Sequence, residues 1–349
     1  MRDRRRFLRD GAVLALGWAG SLPAADKPPK AEARVTAEGR KAAEAGLKFL
    51  AEQQAADGSF GTGNFKGNVG VTGLGALAFL AGGHQPDGQG NHRRSVLKAL
   101  RFVLAQEQKQ PAGFLHNPAA SPHGPMYGHA YGTLFLAKLL GHVPDKEEAA
   151  RLKATLERAV GLSVACQNGQ GGWRYTPASQ DADLSVTGTQ ALALRAARDA
   201  GLEVNRDTLA KAAKYAVACQ NEDGSFRYMA QGGGGGSLSR AGLGLDVLLS
   251  AGRQETPEFA RGLKYLLTHK PGGQQPRPDF LYFPGHLHAA RVLCAVGGAA
   301  WAEWYAALAG ELLPMRQPDG SWKDQLCPHF ATAVACLLLL MPDGVLFGA

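Results

Sequence analysis

Two kinds of helical pattern alternate along this chain. One kind mixes Lys, Arg and Glu with apolar residues at helical spacing, as in Leu152–Gln167 and Thr208–Gln220. It predicts amphipathic helices with one face in solvent. The other kind is rich in Ala, Leu and Gly and nearly free of charge, which predicts buried helices that end at a following Gly. The six buried stretches are Val71–Ala81, Ala130–Leu140, Thr187–Ala200, Gly242–Ala251, Leu287–Val296 and Ala331–Met341.

The two patterns form a repeat. Between an amphipathic and a buried stretch lie a Gln, a Gly-containing turn and an aromatic residue, as in Gln220, Gly224 and Phe226. The steps between successive aromatic residues are 54, 59, 53, 54 and 42 residues, for Phe60, Phe114, Trp173, Phe226, Phe280 and Trp322. Six units of about fifty residues indicate a repeat architecture. Because the last buried stretch has no polar cap, which an open solenoid needs, we predict closure into an all-α, α/α toroid with the buried helices inside.

The first 25 residues differ in character from the rest of the chain. Arg4–Arg6 precede Phe-Leu, then an apolar run at 11–20 that is too short to span a bilayer, then small residues. The paired Arg before Phe-Leu resembles a twin-arginine export signal. We therefore expect residues 1–25 to be a signal peptide, 26–40 a linker and 41–349 one toroid domain. The mature protein is expected to be exported, to the periplasm or elsewhere outside the cytoplasm, and soluble.

Charge and cysteine content narrow the class of partner. The formal charge is +8, of which five Arg and two Asp in residues 1–25 contribute +3, leaving about +5. No run of five Lys or Arg follows, so a nucleic-acid partner is not expected.

The five cysteines form no Cys-x-x-Cys pair and most lie in apolar stretches. They are interpreted as buried hydrophobic residues rather than disulfides or zinc ligands.

Alignment of the buried stretches on their ends places three histidines in one column near the helix starts. In a closed ring this column would form a collar at one mouth of the cavity, where helix N-termini favour anions. We expect His129, His286 and His329 to act in catalysis there. The alternative is that these residues and two serines only cap helices. The full column is Gly70, His129, Ser185, Ser239, His286 and His329.

The Gln…Gly-x-Trp/Phe repeat resembles that of squalene cyclases and of protein prenyltransferase β subunits, which are α/α toroids. The resemblance covers about residues 41–341. The phrases Met126–Tyr131, Gly285–Ala290 and Phe330–Cys336 are similar to those of exported bacterial members without a characterised function. The resemblance implies a central cavity for a hydrophobic, isoprenoid-type ligand. A toroid fold does not by itself supply a function.

The resemblance also implies a role for two carboxylates. In class II terpene cyclases the middle Asp of an Asp-x-Asp-Asp motif protonates an alkene or epoxide. Asp181-Ala182-Asp183 matches its start, with Asp183 as the catalytic acid, whereas Leu184 replaces the third carboxylate. Such an acid has to be kept neutral by its surroundings. The alternative is that Asp183 caps the following helix. The residues expected to bind the ligand are Asp181, Tyr127, Tyr131 and His288.

No metal or cofactor is expected. Protein prenyltransferase β subunits hold zinc with an Asp-x-Cys pair and a His in the next repeat. His329 matches that His, but Pro284-Gly285-His286 stands where Asp-x-Cys would be. A zinc site from His286, His288 and His329 is an alternative because three nitrogens suit zinc. However, His286 and His288 would lie about 200° apart on a helix.

Three functions follow from these observations. The first is an exported terpene cyclase- or prenyltransferase-like protein that binds or transforms an isoprenoid-type ligand, with peripheral membrane contact. The second is a non-catalytic scaffold for a ligand or a protein. The third is a carbohydrate-active toroid enzyme, which needs two inward carboxylates about 5–9.5 Å apart. The cavity discriminates among them: apolar walls favour isoprenoids, walls with carboxylates favour sugars, and a filled barrel favours a scaffold. The sequence favours no oligomeric state.

Overall fold

Twelve α-helices dominate the computed structural model, which describes residues 33–120, 124–232, 235–272 and 282–344. The expected signal peptide, 1–25, lies outside these ranges. No helix within them is both long and apolar enough to span a bilayer. The helices are α1 Ala37–Gln53, α2 Val69–Ala81, α3 Arg93–Ala105, α4 Pro125–Leu139, α5 Lys146–Ala165, α6 Leu184–Asp199, α7 Arg206–Ala218, α8 Leu238–Ser250, α9 Pro257–Thr268, α10 Tyr282–Val296, α11 Gly298–Met315 and α12 Pro328–Leu340; a small hairpin pairs β1 Glu107–Lys109 with β2 Ala112–Leu115.

The even-numbered helices form a closed inner ring. Each contacts the next, and α12 contacts α2, so the ring has no open end. Every residue of α2 is buried, as are nearly all residues of α12. The odd-numbered helices lie outside and bury one face only, as α7 does. The predicted α/α toroid of six helical hairpins is therefore confirmed.

The outer helices join neighbouring units. Most of them pack against the inner helix that precedes them in the chain: α3 on α2, α5 on α4, α9 on α8 and α11 on α10. The first outer helix, α1, packs instead on the last inner helix, α12. Beside this contact, Arg40 of α1 forms an ion pair of 2.9 Å with Asp343, which lies just after α12. The ring is thus closed by the two ends of the folded chain.

The Gln and the aromatic residue of each turn have separate structural tasks. The side-chain amide of Gln167 donates to the carbonyls of Gly171 and Thr208, at 2.8 Å each, and so ties its turn to the next outer helix. Phe226 packs so closely over α8 that a Cβ at Gly244 would lie 2.3 Å from its ring. The described turn aromatics are all buried; Phe280 lies outside the described residues.

The inner helices begin two to five residues earlier than predicted. Pro125 and Pro328 occupy first helical positions, where the missing N–H carries no penalty. Asn68, Asp183 and Ser237 cap α2, α6 and α8 by accepting backbone N–H groups. The first outer helix also begins early, at Ala37, inside the predicted 26–40 linker.

Candidate functional site

A cavity of about 370 Å³ opens where the inner helices begin. All six inner helices contribute to its wall, so they run parallel with their N-termini at one mouth. Within the described part of the chain no carboxylate lines it, and most of the wall is apolar. Aliphatic side chains such as Leu74 and Leu243 form part of the wall. Its aromatic residues are Phe65, Tyr127, Tyr131, Tyr175 and Phe330.

Three of the predicted site residues line this cavity. Tyr127 and Tyr131 lie one turn apart on α4, so both face the same way. His288 lies on the second turn of α10, at about the same depth as Tyr131 on α4, since each is the seventh residue of its helix. The expectation that these side chains surround a central cavity therefore agrees with the structure. Their role in binding a ligand stays a prediction.

His129 does not line the cavity. Its Nδ1 accepts the backbone N–H of Leu115 at 3.2 Å, and its Nε2 lies 3.0 Å from the hydroxyl of Ser163. Ser163 in turn donates to the side-chain carbonyl of Gln190 at 2.8 Å. This chain of bonds leaves Nε2 as the donor and joins α4, β2, α5 and α6. Burial lowers the pKa of His129 to about 4, so its ring is neutral and holds helices together.

His286 and His329 also point away from the cavity. The His286 ring packs 4.3 Å from Tyr282 and 5.5 Å from Trp304 of α11. The His329 ring lies 5.8 Å from Phe49 and 5.9 Å from Phe60. Burial lowers the pKa of both histidines. The predicted histidine collar is therefore wrong as a description of the mouth.

The earlier helix starts explain the correction for His129 and His286, but not for His329, which is the second residue of α12. Ser185 and Ser239 are the second residues of α6 and α8, whereas His129 and His286 are the fifth residues of α4 and α10. Three residues rotate a side chain by about 300° around a helix. The two serines therefore line the cavity instead of capping their helices as expected.

The alternative zinc set is not brought together. His288 faces the cavity, whereas His286 and His329 pack against aromatic side chains of different outer helices. Among the described residues no three His, Cys, Asp or Glu side chains are grouped as metal ligands would be.

Asp183 lies just behind the cavity wall. Its Oδ1 accepts the N–H groups of Ser185 and Val186 at 2.9 Å each, so it caps α6, and the side chain is fully buried. Its Oδ2 has no hydrogen-bond partner among the described residues. Burial raises the pKa of Asp183 to about 6; the two N–H groups and Arg174 limit the rise.

Tyrosines separate Asp183 from the cavity. The Tyr228 side chain lies close enough to the carboxyl group to lower the pKa of Asp183. Its hydroxyl nevertheless makes no hydrogen bond to Oδ2. The Tyr228 hydroxyl hydrogen-bonds that of Tyr175, which lines the mouth. Asp181 is half exposed and pairs with Arg174, so it lies at the rim and not in the cavity.

A buried charged group beside His288 was missed by the sequence analysis. Asp246 of α8 accepts from His288 Nδ1 at 2.6 Å and also forms an ion pair with Arg291. Arg291 lies 3.5 Å from the Ser250 hydroxyl. The available signal was that Asp246 is the one charged residue in the predicted buried stretch Gly242–Ala251. Because a buried carboxylate needs a partner of opposite charge, an acidic residue in a buried stretch could have predicted such a pair.

Comparison with known proteins establishes the fold alone. The sequence matches no model of a protein family and no curated protein. Solved structures do match, at identities below 25%. The chain is similar to the type II terpene cyclase MstE from Scytonema, bound to geranylgeranyl dihydroxybenzoate, with a TM-score of 0.59 and 15% identity over 88% of this chain and 98% of that one.

Two carbohydrate-active toroids are equally similar. The α-1,6-mannanase GH76A of Salegentibacter gives a TM-score of 0.63 and 9% identity, over 87% of this chain and 99% of its own. The cellobiose 2-epimerase from Spirochaeta thermophila gives 0.61 and 14%, over 88% and 97%. The chain is an α/α toroid. Because three chemistries share this fold, the function has to be argued from the cavity.

Proposed function

We propose that this protein is an exported toroid that binds a hydrophobic, isoprenoid-type ligand in its central cavity. The observation that carries the proposal is the cavity itself: about 370 Å³, apolar and aromatic, and open at one end. That volume falls within the range of about 300–1,000 Å³ typical of small-molecule sites. The type II terpene cyclase MstE, which is similar in fold, has geranylgeranyl dihydroxybenzoate as its substrate and supports the same ligand class.

The walls argue against the two alternatives. A glycosidase needs a pair of carboxylates at the substrate, whereas Asp183 has no second carboxylate beside it among the described residues, because Asp181 is tied to Arg174 at the rim. A barrel that served only as a scaffold would be filled by side chains, as interiors normally are. Here a space is kept open, with Tyr127, Tyr131 and Tyr175 around it.

We further propose that Asp183 is the acid that acts on the bound ligand. Its raised pKa, about 6, leaves about a tenth of the carboxyl groups protonated at pH 7 and about half at pH 6. Tyr228 and Tyr175 connect its position to the mouth of the cavity. The aromatic walls supply π-faces that stabilise a positive charge developing on an alkene.

Ligand binding is tested by calorimetry of the mature protein with farnesol, mannotriose and cellobiose. We expect binding of farnesol and of neither sugar. Leu243→Trp, which fills the cavity from α8, should abolish farnesol binding. The matched control is Val217→Trp on the exposed face of α7, which should leave it unchanged. Binding of a sugar, or farnesol binding that survives Leu243→Trp in a folded protein, would overturn the proposal.

The acid is tested separately, in D₂O, by mass spectrometry of isoprenoid products. Wild-type protein should deliver one deuteron to an alkene of farnesol, and the resulting carbocation should lose a proton from a neighbouring carbon, so that the product is an isomer of farnesol with one hydrogen replaced by deuterium. Asp183→Asn should not form this product, because the amide has no acidic proton to give. Asp181→Asn serves as the control and should retain activity. If both variants behave like wild type, the cavity binds its ligand without acid catalysis by Asp183.

A further inference from the structure

His288 is a lining residue of the cavity that has an unpaired ring nitrogen. Its ring is fully buried and lines the cavity, and its Nε2 has no hydrogen-bond partner among the described residues. A buried polar atom without a partner is costly and is therefore rare in folded proteins. The hydroxyl of Tyr131, which lines the same cavity, does not pair with it. The ligand is the group that remains to satisfy this atom.

The neighbours of His288 decide what kind of group that is. Nδ1 lies 2.6 Å from the carboxylate of Asp246, which accepts hydrogen bonds only, so the ring proton is on Nδ1. Arg291 already balances the charge of Asp246, and burial lowers the pKa of His288, so the ring is neutral. Nε2 therefore carries a lone pair and is an acceptor. A ligand group that forms a hydrogen bond to Nε2 therefore has to be a donor.

The depth of His288 sets the direction in which the ligand enters. His288 is the seventh residue of α10, which begins at Tyr282, so it lies about 9 Å below the start of that helix. Apolar and aromatic side chains such as Leu74 and Phe330 line the cavity around it. A donor at the inner end of an otherwise apolar ligand matches this arrangement.

We propose that His288, fixed by Asp246 and Arg291, is a specificity-determining acceptor for a hydroxyl group, so that the ligand is a hydrophobic alcohol that enters hydroxyl first. The inference rests on the proposed function and names its ligand class more closely. It places recognition at the inner end of the cavity, away from Asp183 at the mouth. Asp246 and Arg291 are positioning residues, since they act through the imidazole.

The test compares farnesol with farnesyl methyl ether by calorimetry. The ether keeps the chain and the oxygen but cannot donate a hydrogen bond. Wild-type protein should bind farnesol about tenfold more tightly, a difference of about 1.4 kcal/mol. His288→Phe should reduce the ratio of affinities to about one. His286→Phe, the matched change two residues earlier and outside the cavity, should leave the ratio as in wild type.

Asp246→Asn tests the positioning role. An amide can donate to Nδ1, which would move the ring proton to Nε2. The imidazole would then donate to either oxygen, so the preference for farnesol should disappear while the ether binds. The ¹⁵N NMR signals of His288 should show a bare Nε2 in wild type. That measurement stands even where Asp246→Asn does not fold because Arg291 has lost its partner.

The outcomes separate this inference from the proposed function. Equal affinities of the two probes for wild type, or an Nε2–H ring in its NMR spectrum, would overturn the inference and leave the cavity function standing. Failure of both probes to bind would overturn both. Discrimination that is lost in His288→Phe but kept in His286→Phe would support the inference.

Discussion

At the scale of single residues, Asp183 is under opposing influences. As the cap of α6 its carboxylate is stabilised by two N–H groups, whereas burial favours the neutral acid. Burial is the larger effect, and the pKa rises from 3.8 to about 6. The native state therefore holds a proton on Asp183 at pH values at which the unfolded chain has lost it.

Asp183 should consequently make stability depend on pH. As pH rises from about 4 to above 6, the free energy of unfolding should fall by roughly 3 kcal/mol, that is about two pKa units at 1.36 kcal/mol each. Asp183→Asn keeps the cap but cannot ionise, so this fall should be absent. Urea unfolding at pH 4.5 and 7.5 measures the part of the fall between those two pH values, about 2 kcal/mol. Asp181→Asn, at a half-exposed position, should retain the wild-type fall; the same slope in Asp183→Asn would contradict the assignment.

The rate of deuterium incorporation should depend on the protonation of Asp183 in the same way as stability does. If Asp183 must be protonated to act, deuterium incorporation should decline as pH rises through about 6. The sign is opposite to that of a general base, whose activity would rise over this interval. A pH profile of product formation, recorded under conditions in which the fold is intact at every point, decides between the two.

Residue positions were only partly predictable from the sequence. Tyr127, Tyr131 and His288 were expected near the ligand, and they line the cavity. His129 and His286 were not correctly placed, since each residue added at a helix start turns later side chains by about 100°. The partner of His288 was also out of reach, because Asp246 is 42 positions away in the sequence and only packing of α8 against α10 brings them together.

At the scale of helices, glycines on inner and outer helices have different tasks. Gly244 of α8 leaves room for Phe226, whereas Gly161 of α5 is exposed and has open space around it. Gly161→Ala should therefore stabilise the protein by about 0.5–1 kcal/mol through helix propensity. Gly244→Ala should destabilise it by about 1–3 kcal/mol through overpacking. Chemical unfolding of both variants checks the opposite signs.

The Gln at the end of an outer helix should matter where it connects two units. Gln167→Ala leaves the carbonyls of Gly171 and Thr208 without their donor and should cost about 1–3 kcal/mol. The side-chain amide of Gln317 donates to Met315, two residues away, and makes no such link. Gln317→Ala should cost less. Equal unfolding midpoints for the two variants would show that the link contributes nothing.

Helix type and order were predictable, whereas helix starts were not. The six stretches with little charge, five of them followed by a glycine, identified all six inner helices because burial disfavours charged side chains over most of an element. The starts of α4 and α10 were placed five residues late. Residues before Ala130 and Leu287 include His, Tyr and Gly, whose weak helix preference hides a start that the ring packing imposes.

At the scale of the whole molecule, stability depends on ring closure. Turn glycines of successive units lie against the backbone of the next outer helix: Gly171 against Lys211, Gly224 against Arg261 and, from the last unit to the first, Gly320 against Ala45. A Cβ at Gly46 of α1 would lie 2.6 Å from the Cys336 sulfur of α12. The junction between the chain ends is thus packed as tightly as the other junctions.

Removal of α1 should therefore unfold the whole ring. A chain that begins at Gln54 would expose the apolar face of α12 and should aggregate or lose cooperative thermal unfolding. A chain that begins at Ala33 retains α1 and should unfold at the same temperature as one that begins at residue 26. Cooperative unfolding of the Gln54 chain at the wild-type temperature would show that each unit is stable without closure.

The junction of α1 and α12 also determines when, relative to protein synthesis, the ring can close. Cys336 lies 3.5 Å from the carbonyl of Ala43, a contact between residues 293 positions apart. Helix α1 is among the first parts of the domain to be synthesised, and its partner is the last inner helix to be made. Until then the surface of α1 around Gly46 lacks its neighbours Thr332 and Cys336 of α12. The ring can therefore close only after α12 has been synthesised. Until then the newly made chain has to avoid aggregation.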